Sequence, residues 1–144
     1  MISIWVLLTF VMGFAIAQLS KLIIAAVKTK GKLTVGEAAE WLTRSGGMPS
    51  GHSASFVGAT TIIGCLEGFD SAIFALAVCM SVIIIYDATH VRYAVGEQGK
   101  VLNKFILSNK KKLKIVEGHT LPEVTIGTLL GVLCALIVYS FLPH

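Results

Sequence analysis

Apolar residues fall along the chain in four long blocks, and polar residues collect between them. The first block runs from about Ile4 to Val27, with Gln18, Ser20 and Lys21 near its end. The second covers Ser53 to Leu66, the third Ser71 to Tyr86 and the fourth Val124 to Leu142. A helix needs roughly 20 residues to cross a bilayer, within a range of about 17 to 25. Blocks one and four meet that length. Blocks two and three are shorter, and only Glu67-Gly68-Phe69-Asp70 separates them. They read as a helical hairpin whose first arm starts near Ser50. Past the third block, Val91 to Asn103 reads as an amphipathic helix, with Val91, Val95, Val101, Leu102 and Phe105 at the interface. The expected fold is all-α: an integral membrane bundle of about four transmembrane helices, with an amphipathic helix in the third loop. One domain over residues 1–144 is expected.

Composition supports a membrane solvent. Of 144 residues, 55% are hydrophobic and 14% charged, and the mean hydropathy is +0.81. A soluble domain is usually about 25% charged, and a chain this size has no core able to hide so many apolar residues. Met1-Ile2-Ser3 lacks a basic leader region and no small-residue cleavage site follows, so the first block is expected to remain as a membrane helix. Cys65, Cys79 and Cys134 all lie in apolar blocks. They read as small core or lipid-facing residues, not as a disulfide framework or metal ligands.

Charge then orients the bundle. The net charge is +4, and it is unevenly spread. Lys28, Lys30, Lys32 and Arg44 lie in the first loop (Lys28 to Pro49). Arg92, Lys100, Lys104, Lys110, Lys111, Lys112 and Lys114 lie in the third (Asp87 to Pro122). The second loop is acidic. Four helices put loops one and three on one side, which the positive-inside rule assigns to the cytoplasm, with both termini outside. A cell's inner membrane is the expected location. The Lys110-Lys111-Lys112 run reads as a topology signal that meets anionic headgroups. Without interleaved aromatics or a reader motif, it gives no sign of a nucleic-acid partner.

The polar clusters with chemical potential all fall on this basic face. Met48-Pro49-Ser50-Gly51-His52 stands at the mouth of block two, after Gly46-Gly47, which lets the backbone approach a ligand. The Ser50 hydroxyl and the amides around Gly51 can bind oxyanions, and His52 can carry a proton. Gly118-His119-Thr120-Leu121-Pro122-Glu123 opens block four. On a helix, Glu123 shares a face with His119 and can hold its ring. The same residues also spell a capping box with proline in the first turn, which by itself explains Thr120, Pro122 and Glu123 but not His119. Arg44 offers a planar fork for phosphate. Lys21 either reaches the same pocket or snorkels to the surface. Asp87, at the end of block three, calls for a partner such as Arg92 or Lys21, and His90 is a third candidate histidine. His144 ends the chain and has no assigned role. Phosphate-ester cleavage by histidine needs a nucleophile, a proton donor and fixed positive charge or amides around the oxygens; these residues supply each.

Taken together, Gly46 to Ala54, Asp87-Ala88 with Val91-Arg92, Gln98, Leu102-Asn103, and Gly118-His119-Thr120 with Pro122-Glu123-Val124 resemble the divergent branch of the type-2 phosphatidic acid phosphatase superfamily. That superfamily includes lipid phosphate phosphatases and vanadium haloperoxidases. The resemblance runs from Gln18 to about Gly131. It implies a helical phosphatase fold working without a metal or other cofactor. His119 would be the nucleophile, Glu123 its orienting carboxylate and His52 the general acid. Ser50 and Gly51 would be phosphate ligands, and Arg44 and Arg92 would supply charge. The chain departs from the superfamily pattern where Arg44 precedes Ser45 instead of proline, and where Glu123 stands for the usual aspartate. It has about four spans where integral members commonly have six, and a homodimer would complete the bundle. The expected activity is hydrolysis of a lipid or polyprenyl phosphate of the phosphatidic acid, phosphatidylglycerophosphate or undecaprenyl (di)phosphate class, at the cytoplasmic face through a phosphohistidine. Two other roles fit the same residues: a non-catalytic protein that binds or moves phospholipid, and a structural or assembly subunit whose polar clusters are only caps.

Overall fold

The computed structural model describes residues 2–43, 46–106, 115 and 118–142, and helix is the only regular secondary structure among them. Helix α1 spans Ile2–Lys28, α2 Val35–Thr43, α3 Gly51–Glu67, α4 Ala72–Tyr86, α5 Arg92–Ile106 and α6 Leu121–Ser140. Three helical stretches are long and apolar enough to cross a membrane: Ile2–Lys28, the continuous Ala72–Phe105, and Leu121–Ser140. Helix α3 has 17 residues. At 1.5 Å per residue it rises about 26 Å, close to the roughly 30 Å hydrocarbon core of a bilayer. It completes the expected bundle of about four helices.

Helix α3 is the axis of that bundle. Helices α6, α1 and α4 pack on it, and α1 also meets α6. Lipid tails are as apolar as leucine, so helices in a bilayer associate through close packing of small residues. The sequence supplies these at helical spacing. In α1 the buried stripe is Thr9, Gly13, Ala17, Lys21 and Ala25; in α6 it includes Gly127, Gly131 and Ala135. A methyl group at Gly13 would stand 2.7 Å from the Ala54 carbonyl oxygen, and one at Gly127 would stand 2.5 Å from that of Ser50. Gly131 presses against the same Ala54 carbonyl. The i, i+4 stripe of α1 also explains Lys21. It follows Ala17 by one turn, so its side chain must enter the bundle.

Two loops depart from expectation. The first contains α2, started by a capping box: Thr34 N–H donates to Glu37 Oε2 at 2.8 Å, and Glu37 N–H donates to Thr34 Oγ1 at 3.4 Å. The third does not begin at Asp87. A π turn, Asp87–Val91, carries α4 directly into α5, so the amphipathic helix is a continuation of the membrane helix and spans Arg92–Ile106 instead of Val91 to Asn103. The turn keeps the backbone paired, because Arg92 N–H donates to the Asp87 carbonyl.

Candidate active site

The ends of three helices converge at one pole of the bundle. Ser50, the N-cap of α3, donates its N–H to the Glu123 carbonyl in the first turn of α6 at 3.0 Å. His119, just before α6, donates its N–H to the Ala88 carbonyl in the π turn at 2.9 Å. The two polar motifs, about 70 residues apart in sequence, are thus stitched together through the backbone.

The histidines of these motifs face each other. His52 sits half-buried in the first turn of α3, and its ring centroid lies 6.4 Å from that of His119. His119 is only 4% exposed. Burial holds its imidazole below the ordinary value, and the Lys21 ammonium adds to that; Glu123 opposes it. These effects favour the neutral imidazole of His119, which has a lone pair available.

Glu123 shows which of two roles the geometry favours. Its Oε2 accepts the Thr120 N–H at 3.0 Å and completes the capping box. The same oxygen is 3.7 Å from His119 Nδ1, too long for a hydrogen bond. Among the described residues, Nδ1 has no hydrogen-bond partner. Glu123 thus caps α6 and stands beside the His119 ring without bonding it.

Lys21 is also 4% exposed, so it enters the bundle and does not snorkel. Its charge acts on both histidines and on Glu123. Ser50 is fully buried, and its Oγ accepts from Ser53 N–H and Ser53 Oγ–H. Its evident work is to cap α3. Gly51 is buried where a side chain would meet the Phe14 ring at 3.2 Å. Asp87 pairs with Arg92, not Lys21, through Oδ2 and Nε. His90 stacks on Tyr86 at 4.3 Å and shares a 2.8 Å hydrogen bond with Thr89. It lines a cleft of about 390 Å³ with Tyr93, His119 and Leu121. Arg44, the Lys110-Lys111-Lys112 run and His144 lie outside the described residues.

Sequence reasoning did not assign Gln18 to the site. Its Nε2 donates to the Leu42 carbonyl at 2.6 Å, and its buried Oε1 has no partner among the described residues. A polar residue three positions before a buried lysine in an apolar helix was the available signal.

Two neutral-capable histidines about one phosphate apart, with a buried ammonium beside them, can bind an oxyanion and exchange protons across it. An uncharacterized membrane protein, YuiD of Bacillus subtilis (strain 168), is 33% identical over 147 residues, covering 88% of this chain and 93% of the relative. No solved structure matches the chain. The family model described as the divergent PAP2 family matches residues 3–134, and the chain, a membrane protein with a phosphatase-like fold, belongs to that family.

Proposed function

We propose that the protein is a membrane phosphatase that hydrolyses a lipid or polyprenyl phosphate through a phosphohistidine. The observation that carries this reading is the pairing of His52 and His119 across 6.4 Å beside the buried Lys21. His119 attacks phosphorus through one ring nitrogen. The bond from phosphorus to the leaving oxygen breaks, and protonated His52 gives that oxygen its proton. Water then attacks the phosphohistidine. Its proton passes to His52, inorganic phosphate leaves, and His119 returns to its neutral form. The first step places positive charge on His119. Glu123 offsets it by turning toward Nδ1, and such contacts often tighten only when substrate is bound. Lys21 and the first amides of α3 stabilise the phosphoryl oxygens. The site faces the cytoplasm in this reading, and the chemistry needs no metal.

A second reading is supported by one observation: Glu123 is committed to its cap and does not yet touch His119. In that case the pocket binds or moves phospholipid without turnover.

Phosphate release from a panel of lipid phosphates separates the two. Purified protein is assayed in detergent with EDTA, with and without vanadate. The phosphatase reading expects release that vanadate blocks, and His119→Ala should reduce it by about 10⁴-fold. His52→Ala should reduce it by about 10³-fold, the range of a general acid. Phospholipid binding that survives His119→Ala, with no release from any substrate, establishes the non-catalytic reading instead.

A further inference from the structure

The π turn between α4 and α5 is an uncommon piece of backbone, and the functions above do not explain it. Such turns are rare, appear mostly as single-turn insertions in α-helices and are frequent at functional sites. Five residues carry an α-helix about 140° past its starting direction at 3.6 residues per turn. A side chain at i+5 therefore points away from residue i. In the π turn the i+5 residue returns above the first. Arg92 is five residues after Asp87; its N–H bonds the Asp87 carbonyl, and its Nε pairs with the Asp87 carboxylate. The same turn presents the Ala88 carbonyl to His119 N–H. Gly118 packs against the backbone of Arg92 and Tyr93 so closely that any side chain there would collide with it. The inserted turn therefore seats the segment that carries His119 directly against the backbone of Arg92. The charges of Asp87 and Arg92 both act on His52, which stands opposite His119.

We propose that Asp87 is a positioning residue, which holds the Arg92 guanidinium at the phosphate site through a register that only the π turn allows. Bonding through Nε leaves the two terminal nitrogens of Arg92 to offer parallel N–H donors to phosphate oxygens. Both side chains are nearly half exposed, and an exposed ion pair contributes little to stability. Its value lies in direction. The inference rests on the phosphate-site reading above, but it concerns binding and does not need turnover.

The test is binding of inorganic phosphate to the full-length chain in detergent, measured by calorimetry. If Asp87 positions Arg92, Asp87→Asn weakens phosphate binding about tenfold, as expected when a charged hydrogen bond is lost. Asp87→Glu recovers part of the loss. In an Arg92→Ala background, Asp87→Asn causes no further loss, since the two residues act as one unit. The thermal midpoint stays unchanged in all of them. If Asp87 merely screens the site, removing its negative charge leaves binding unchanged or tightens it, and the proposal is overturned. Losses that add independently also overturn it. Wild-type chain that binds phosphate but turns over no lipid sinks the phosphatase reading alone, and the Asp87 series still decides this one. Wild-type chain that binds no phosphate sinks both.

Discussion

The frame of α1, α3 and α6 and the arm of α4 and α5 solve different problems with similar apolar sequences. In the frame, glycine and alanine let backbones touch, and Ala17, Ala54 and Ala135 are fully buried. In the arm, Ser81 is the one buried residue of α4, while Ile73, Leu76, Met80, Val82 and Ile83 are exposed. Large residues on a helix in a bilayer meet lipid at little cost. Small ones on facing helices lock the position of whatever stands at their ends. The histidines and Lys21 therefore sit at the pole of the frame. The arm brings an ion pair and a carbonyl, delivered by its π turn, and the His90 and Tyr93 wall of the cleft.

This contrast can be broken by substitution, starting where the frame is tightest. Gly131→Val drives a side chain into the Ala54 carbonyl, which cannot move aside as a flexible side chain can. A loss of about 3 kcal/mol, the upper end of overpacking costs, is expected in the thermal or denaturant unfolding of detergent-solubilised protein. A loss below 1 kcal/mol, roughly that of an ordinary surface change, would mean that the three helices are not so closely locked.

Next in size is a pH effect at the frame's pole. The imidazole of His119 is held below its ordinary value, chiefly by burial. The unfolded chain thus takes up a proton more readily than the folded one. Stability from this group is fully present above the ordinary imidazole value of about 6.5 and is lost as pH falls through the folded value. Melting wild type and His119→Gln between pH 8 and pH 5 checks the sign. The wild type should lose more on acidification; an equal loss would remove His119 as the cause.

A smaller effect is expected where arm meets frame. Thr60 Oγ1 and Ser81 Oγ are 2.8 Å apart, and Thr60 also donates to the Ala77 carbonyl at 3.2 Å. Thr60→Val should cost about 1 kcal/mol, typical of interhelical hydrogen bonds in membranes, with Ser81→Ala nearly silent in the variant background. The smallest effect belongs to the arm's outer face. Leu76→Ala, at an exposed position, should stay within about 0.5 kcal/mol, and a larger loss would show that another surface covers α4.

Much of the site was legible in the sequence because its residues open helices. Ser50 before Gly51 and Thr120 before Pro122 and Glu123 are start signals that local chemistry enforces. They brought His52 and His119 to helix mouths on one face. Thr34 and Glu37 carried the same kind of signal for α2, overlooked because the segment is short and polar. Gln18 and the π turn were harder to read. The orphaned amide oxygen of Gln18 exists only because the Leu42 carbonyl pins the other end of the group. The extra residue in the π turn leaves no mark in the hydropathy pattern.

By itself the sequence determined the four apolar helices, the caps that start α3 and α6 and the polar motifs beside them, because each depends on neighbours within a few residues. Tertiary structure alone decided that Lys21 is buried, that the Leu42 carbonyl pins Gln18, and that His119 N–H meets the Ala88 carbonyl. Those outcomes depend on which helix faces which, and at what depth. Contacts between distant backbones set them, and periodicity along one chain cannot specify those contacts.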